Sequence, residues 1–555
     1  MNNLERLKKF HQAKWNEPII YEISEPGARA VLVPGPCCGC TSAEEALATL
    51  PKGMVREEKA NLPEIAQLQL VRHYNHLSQE NIGVDGNIDI GQGTCTMKYN
   101  PKVNDRLAGL PKVADMHPLQ PDETAQGILE LFHKTGELFK EISGLDVFSM
   151  QPGGGSHGVL ALASIVRAYW RDKGEEEKRD EIITTLFSHP ADCAVPMAKG
   201  YKVTIIQPDE EGYPDIEAFK AAISDRTAAI FFTNPEDTGI FNVRIKEFTR
   251  LAHEKGILCC YDQANANGLL GITRTAEANF DMSFFNLHKT FGAPHGCGGP
   301  ATGLVAAKKE LRPYMPVPLV EYSPEKGYYL DFDLPKSCGK IKSFWGVAPV
   351  VVKAYSWIMA LGADGLREVS RVAILNNNYC MKKILAIKGA SISFPNHPSR
   401  IEQARYSWQK MKEDTGFGTA DVQRCIADFG THYWSSHEPW VIPEPFTIEP
   451  SESYSKQDID DYRESPALRV IESLRKLGAQ VSYYDPYVES YRYQGQEEHR
   501  IPVLDKAALE DADLVMVTTA HTCVDYDFVA EHASLIFDTK NAMKNVKKRE
   551  NIRVL

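Results

Sequence analysis

The sequence lacks a long apolar run. No stretch approaches the roughly 20 residues that a membrane-spanning helix needs. The start, Met1 to Phe10, alternates charge with apolar residues and has no secretory hydrophobic core, so a cytoplasmic location is expected. Positive charge is in short supply: 62 Lys and Arg face 74 Asp and Glu, a net charge of −12. A polyanion would be repelled, which argues against broad nucleic-acid binding. The locally basic stretch Lys540 to Arg553 reads as a solvated helix or strand. Cysteine is sparse, 12 in 555 residues, and fits reduced thiols rather than a disulfide framework. Cys37-Cys38-Gly39-Cys40 looks like half a metal site, but no matching Cys/His cluster follows at zinc-finger spacing, so no metal is expected. There is no internal repeat.

What is present is an ordinary globular composition, 43% hydrophobic and 25% charged, with length for two or three domains. From about residue 123 helical and strand patterns alternate. Thr124 to Ile142 reads as a helix, Phe148 as the start of a short strand, and Val159 to Trp170 as a helix. Strands are expected at Ile182 to Phe187, Lys202 to Gln207, Ala228 to Thr233, Ile257 to Asp262 and Phe280 to Phe285, with a helix at Ile245 to Lys255. This alternation predicts a mostly parallel sheet sandwiched by helices, with ligands at the carboxyl ends of the strands. His157, His189, Asn234, Asp262 and Lys289 all fall there. The glycine-rich segment 83–104 is a long loop of a kind that is usually functional, and it holds Thr94, Cys95 and Thr96. Composition shifts again near 450. Beyond it the pattern predicts a helix at Pro466 to Leu477 and a strand at Val481 to Tyr484. Helices at Lys506 to Glu510 and Phe528 to His532 and strands at Leu514 to Thr518 and Leu535 to Asp538 complete a second α/β unit. That unit has no GxGxxG fingerprint.

The most informative stretch is Asn286-Leu287-His288-Lys289-Thr290-Phe291, which follows a strand and precedes a glycine-rich turn. Upstream, Cys259-Cys260-Tyr261-Asp262 is a strand ending in an aspartate. Strand–Asp followed by strand–His-Lys is the order that pyridoxal phosphate chemistry needs. The lysine amine forms a Schiff base, and the carboxylate faces the pyridinium nitrogen so that the ring acts as an electron sink. A lone lysine after a strand is most often a solvated surface residue. The upstream aspartate, His157 and the turn Gly153-Gly154-Gly155-Ser156 shift the balance toward a cofactor site.

These residues resemble a known family. From about 65 to 450 the chain is similar to the type 2 subunit of glycine dehydrogenase (decarboxylating), the P-protein of the glycine cleavage system. The matching stretches include Leu70-Val-Arg-His-Tyr74, Thr94-Cys-Thr-Met-Lys-Tyr-Asn-Pro101, Thr124-Ala-Gln-Gly127, Phe285-Asn-Leu-His-Lys-Thr-Phe291, Pro316-Val-Pro-Leu-Val-Glu321 and Ile448-Glu-Pro-Ser-Glu452. The resemblance implies an α/β, fold-type I pyridoxal 5'-phosphate transferase-like fold. It implies that Lys289 forms the internal aldimine, Asp262 pairs with the ring nitrogen, Ala264 packs on the ring and His157 stacks on its other face. Gly154, Gly155 and Ser156 would serve the phosphate, His288 and Thr290 the phosphate or substrate carboxylate, and Asn234 the cofactor pocket. His189 would lie near the reacting carbon, where a structural role is an equal alternative, and Thr94, Cys95 and Thr96 would line the cleft. Glycine would lose carbon dioxide, and its aminomethyl group would pass to the lipoyl arm of the H-protein. An amino-terminal-half partner, subunit 1, or a homo-oligomer is expected.

Two segments depart from the family pattern. The usual His-Gly-Ser/Thr-Asn-Pro-Ala is His189-Pro190-Ala191-Asp192-Cys193-Ala194 here, and Asn-Pro-Asn-Thr is Asn234-Pro235-Glu236-Asp237. Proline stiffens the first loop. Carboxylates at 236 and 237 entering the site would disfavour an anionic substrate. Residues 456–555 resemble instead the carboxy-terminal domain of UDP-glucose/GDP-mannose dehydrogenases, through Asp458-Ile-Asp-Asp-Tyr-Arg-Glu-Ser-Pro-Ala467, Tyr484-Asp-Pro-Tyr487 and Phe537-Asp-Thr-Lys-Asn-Ala542. The expected organisation is an arm and cleft-lining segment at 1–120, a large cofactor domain at 121–330, a small domain at 331–455 and the appended α/β domain at 456–555. Two alternatives to glycine decarboxylation stay open. One is a pyridoxal phosphate decarboxylase, lyase or aminotransferase acting on another amino acid or a nucleotide-linked substrate. The other is a non-catalytic scaffold that binds a nucleotide sugar.

Overall fold

The computed structural model describes residues 17–31, 35, 39, 41–58, 60–80, 99–294, 299–428, 441–456, 459, 474–475, 477–486, 488–493, 496–518, 521, 523–539 and 542–554. Residues 1–87 with 425–431 form one compact unit, and 88–424 with 432–555 form another. In the first, the helix Gln67–Gln79 presents His73 and His76, whose Nδ1 atoms each lie 2.7 Å from a carboxylate oxygen of Glu17.

The second unit is built on a seven-stranded sheet. Its strands are β1 (Val147–Ser149), β2 (Glu181–Thr185), β3 (Lys202–Ile206), β4 (Thr227–Thr233), β5 (Leu258–Gln263), β6 (Met282–Asn286) and β7 (Gly303–Ala307). Their order is β1-β7-β6-β5-β4-β2-β3. Neighbours from β3 to β6 are parallel, whereas β7 runs antiparallel to both β6 and β1.

The strands read as continuous apolar runs because both faces are covered. Side chains alternate between them with period two. Ile182, Phe231, Cys260, Phe284 and Val305 pack with Val159, Leu162 and Val166 of helix α2 (Gly155–Asp172). On the opposite face Ile183, Ile230, Phe232 and Cys259 pack with Phe248 and Ala252 of α4 (Ile245–Glu254). Phe285, Leu304 and Ala306 pack there too, with Leu129, Phe132 and Phe139 of α1 (Gln126–Ser143) and Val351 and Trp357 of α5 (Ala348–Ile384). Helix α5 is interrupted at Gly362, whose φ is +63°. A Cβ at Gly158 would lie 2.5 Å from the Phe284 ring, so α2 approaches the sheet only because that position is glycine. Helix α2 begins four residues before the expected Val159, which puts Ser156 and His157 in its first turn.

Smaller sheets flank this core. Strands β8 (Leu319–Ser323) and β9 (Gly327–Asp331) form a hairpin. Strands β10 (Ser391–Ile392), β11 (Ala404–Ser407) and β12 (Pro445–Ile448) form an antiparallel sheet. Near the carboxyl end, β13 (Ser490–Tyr493) pairs with β14 (Gln496–His499). Strands β15 (Val515–Val517), β16 (Ile536–Asp538) and β17 (Ile552–Val554) form a parallel sheet with its own apolar cluster around Leu509, Val529, Ile536 and Ile552. The strand expected at Val481 to Tyr484 does not form. The Tyr483 carbonyl accepts the Ile501 N–H at 2.9 Å and the Val481 carbonyl accepts from Arg475 at 3.1 Å, without a ladder. The expected helix at 466–477 lies almost wholly outside the described residues.

Candidate active site

The lysine turn leaves β6 at Asn286. The Lys289 N–H donates to the Asn286 carbonyl at 3.1 Å, which turns the chain back, and the side chain is 5% exposed. His288 is buried with Nδ1 3.3 Å from the Thr302 carbonyl oxygen. The Thr290 hydroxyl accepts the Ala266 N–H at 2.9 Å and ties this turn to the loop after β5. Asp262 is carried by β5, one strand away, and its Oδ1 accepts the Ala264 N–H at 2.7 Å. Burial pushes the Asp262 carboxyl up, against the Ala264 N–H and the Lys289 charge, which favour its anion.

A cradle lies beside this pair. Gly154 caps α2, and its carbonyl accepts the Gly158 N–H at 2.9 Å. A Cβ at Gly155 would lie 2.9 Å from Asn286 Nδ2, and one at Gly303 would lie 2.5 Å from the Gly154 carbonyl oxygen. The first turn of α2 therefore approaches the ends of β6 and β7 backbone to side chain and backbone to backbone. Asn286 Oδ1 and Thr302 Oγ are buried there with no hydrogen-bond partner among the described residues. His157 Nδ1 accepts the Gly153 N–H at 3.3 Å, and the imidazole is exposed.

Lys342 reaches the same place from the segment between β9 and α5. A Cβ at Gly153 would lie 3.1 Å from its Cδ and 3.4 Å from His157 Nδ1. The Gln151 Oε1 atom accepts the Ile341 N–H and, at 3.2 Å, the Lys342 N–H, and so fixes that segment. No spacing in the sequence pointed to Lys342, which is 185 residues from His157.

His189 follows β2. Its Nδ1 accepts the Ala191 N–H at 3.1 Å, which leaves the neutral ring's proton on Nε2. Asn234 spends its amide on the chain: Oδ1 accepts the Asn242 N–H at 2.7 Å and Nδ2 donates to the Asn242 carbonyl at 3.2 Å. The carboxylates at 236 and 237 are buried. Burial pushes Glu236 up to about 8, so it is neutral at pH 7. Asp237 is neutralised by Arg405, 3.3 Å away and fully buried. Glu449 accepts from Asn265 and, at 2.6 Å, from Asn267, and ties the loop after β5 to the end of β12. Thr94, Cys95 and Thr96 lie outside the described residues.

The aminotransferase class-V family model matches residues 154–320, which hold the lysine turn, Asp262 and the cradle. Over 480 residues the chain is 40% identical to "Probable glycine dehydrogenase (decarboxylating) subunit 2" of Pyrococcus abyssi, covering 86% of this chain and 92% of that one. A protein of the same name from Caldanaerobacter subterraneus is 39% identical over 451 residues, 80% of this chain and 90% of the other.

The chain belongs to the glycine dehydrogenase (decarboxylating) subunit 2 family.

The fold agrees with that membership. A crystal structure of glycine decarboxylase (P-protein) of the glycine cleavage system, in inhibitor-bound form, superimposes with a TM-score of 0.65 at 20% identity, covering 79% of this chain and 96% of that one. A NifS-like protein gives 0.52 at 14% identity, covering 70% and 99%. The architecture is that of fold-type I pyridoxal phosphate enzymes. The UDP-binding domain model of the UDP-glucose/GDP-mannose dehydrogenase family matches residues 454–545. The 480 aligned residues shared with the P. abyssi subunit exceed those preceding 454, so the two similarities overlap in sequence. Among the described residues no helix is long and apolar enough to cross a membrane.

Proposed function

We propose that this chain is the cofactor-bearing subunit of a glycine decarboxylase that works with a subunit 1 partner and delivers an aminomethyl group to a lipoyl carrier. The observation that carries the reading is the buried Lys289 on one strand end with Asp262 on the next. The relatives' name, glycine dehydrogenase (decarboxylating) subunit 2, supplies the substrate and the partner subunit.

The residues fit pyridoxal phosphate. A glycine cradle opens at a helix start, where backbone N–H groups and the helix dipole favour a phosphate. Asn286 Oδ1 and Thr302 Oγ, beside it, lack partners among the described residues. In this reading Lys289 holds the cofactor, Asp262 its ring nitrogen, and His157 and Ala264 its two faces. Gly154, Gly155 and Ser156 hold its phosphate. Thr290 already accepts from Ala266, so its own hydroxyl proton is available to donate to an anionic oxygen. When bound, pyridoxal phosphate supplies an electron sink for the pair released with carbon dioxide. Asp262 keeps a negative charge under the ring nitrogen. Lys289 would hold the cofactor through its buried side-chain amine. In this reading His189, with its proton on Nε2, would serve as a hydrogen-bond donor near the reacting carbon. Lys342, whose Nζ lies beside Gly153, adds a positive charge suited to a substrate carboxylate.

Glu236 and Asp237 do not oppose this reading. The first is neutral at pH 7 and the second is paired, so neither adds net negative charge that would repel glycine. The test is the visible spectrum of the purified protein before and after glycine, then exchange of labelled carbon dioxide into glycine with subunit 1 and a lipoyl carrier. A cofactor band that responds to glycine, with exchange, is the expected result. A band indifferent to glycine would reject glycine as substrate, and no band after adding pyridoxal phosphate would reject the enzyme.

A further inference from the structure

Asp192 sits in the first turn of α3 (Ala191–Ala198), directly behind the cofactor-facing ends of β4 and β5, with none of its side chain exposed. Its Oδ2 receives one long bond, from the Thr233 hydroxyl at 3.4 Å. Its Oδ1 has no hydrogen-bond donor. Thr233 is the register partner of Asp262 across β4 and β5, so a side chain over Thr233 is beside Asp262. The Asp192 carboxyl, held against Thr233, and the Asp262 carboxyl are therefore neighbours on one face of the sheet, and each acts on the other's charge. Two ionised carboxylates are acceptors only and repel at this distance in a dry site. A single proton between them converts the contact into a strong, charge-assisted hydrogen bond.

The surroundings say which carboxyl carries the proton. Asp262 has the Ala264 N–H at 2.7 Å and the Lys289 charge to hold its anion. Among the described residues, Asp192 receives a hydrogen bond from the Thr233 hydroxyl alone. Among the described residues, the other titratable groups that interact with Asp192 include Cys260 on β5, Cys193 on its own helix and Asp237 after β4. None brings it a positive charge, because Arg405 is spent on Asp237. Burial first, and then the Asp262 charge, push Asp192 well above the usual carboxylate range.

We propose that Asp192 is a protonated carboxylic acid whose O–H donates to Asp262, making it a positioning residue that fixes the carboxylate under the cofactor's ring nitrogen. This rests on the reading of Asp262 as that nitrogen's partner. The neutral acid orients Asp262 without competing for the ring's positive charge. Were Asp192 to ionise, no proton would remain between the two carboxylates; they would repel, and the bond that holds Asp262 in place under the ring nitrogen would be lost. Cofactor affinity therefore belongs to the neutral form of Asp192. It is present at neutral pH and falls as pH rises through the ionisation of Asp192.

The first test needs no cofactor. Infrared difference spectra of the full-length protein, wild type minus D192N, should show the carbonyl stretch of a protonated carboxyl at neutral pH. Its absence would overturn the proposal whether or not pyridoxal phosphate binds. The second test is the pH dependence of the pyridoxal phosphate dissociation constant. Wild type should weaken as pH rises. D192N, whose amide N–H donates the same bond, should bind as tightly at neutral pH and stay flat. D192A, checked for folding by its melting temperature, should bind about ten- to a hundredfold more weakly at neutral pH, the loss expected for a hydrogen bond to a charged group. Identical pH profiles for wild type and D192N would overturn the proposal. A carboxyl band in a protein that never binds pyridoxal phosphate would leave the proton in place and refute its role toward the cofactor.

Discussion

Replacing Asp262 with asparagine separates what this residue does for the fold from what it does for the reaction. The amide keeps the size and can still accept the Ala264 N–H that Oδ1 now takes at 2.7 Å. It removes a buried anion that burial already disfavours and that lies against Asp192. Stability should therefore hold or rise, and the melting temperature of Asp262→Asn should be no lower than that of wild type. Turnover should collapse. A carboxylate about 3 Å from a protonated ring nitrogen, at an effective dielectric constant of about 20, contributes roughly 5 kcal/mol. If that interaction is needed in full at the transition state, its loss slows the reaction by about four orders of magnitude. The assay is glycine-dependent exchange of labelled carbon dioxide with subunit 1 and a lipoyl carrier, alongside thermal unfolding. A rate within tenfold of wild type in a loaded, folded variant would refute the assignment of Asp262 to the ring nitrogen.

The remaining predictions concern the lysine, the cradle and the packing behind the sheet. Lys289→Ala should abolish the visible band of the lysine-bound cofactor while unfolding stays cooperative. An unchanged band would remove Lys289 from the site. Gly303→Ala would place a Cβ 2.5 Å from the Gly154 carbonyl oxygen, and neither backbone can yield cheaply. Overpacking of this kind costs about 1–3 kcal/mol, and a rise of at least tenfold in the pyridoxal phosphate dissociation constant, read by fluorescence titration, is expected. Asp281 is pushed up by burial, but hydrogen bonds to His253 at 2.9 Å and Lys308 at 2.7 Å, with their charges, outweigh that and hold its carboxyl below the usual range. A depressed folded value stabilises the fold above the ordinary carboxylate range, and that stabilisation is lost as pH falls through the folded value. Denaturant unfolding of Asp281→Asn should show a loss of about 2 kcal/mol at pH 7 that disappears in acid, and an equal loss at both pH values would contradict this.

The fold was legible wherever burial on both faces wrote a strand as an unbroken apolar run. Ile182 to Thr185, Ala228 to Phe232 and Leu258 to Tyr261 all stand within two residues of their expected bounds. Less of the carboxyl-terminal unit could be read. Val-Ser-Tyr-Tyr at 481–484 has the composition of a strand, but among the described residues it forms no ladder, and propensity alone does not make one. Ile552–Val554, Ile-Arg-Val, does form a strand because β16 offers it a parallel edge.

The site divides along the same line. Lys289 and Asp262 could be named because each sits at the end of its own strand, so local pattern and chemistry coincide. Lys342, Glu449 and Arg405 could not, because their relations span great separations: Lys342 is held through Gln151, Glu449 through Asn265 and Asn267, Arg405 through Asp237. The departures at 189–194 and 234–237 were visible as sequence, yet their meaning depended on burial. Read from the chain, Glu236 and Asp237 look like two added negative charges in the cleft. Folded, one is neutralised by desolvation and the other by a buried guanidinium, while Asp192, three residues from the expected His189, is placed against the carboxylate that matters most. A buried carboxyl is a charge only if something pairs with it or hydrates it, and that condition is written in the third dimension. The charge balance of this cleft is accordingly set by protons on Asp192 and Glu236 and by Arg405 on Asp237, and a count of acidic residues along the chain would have assigned it the wrong substrate.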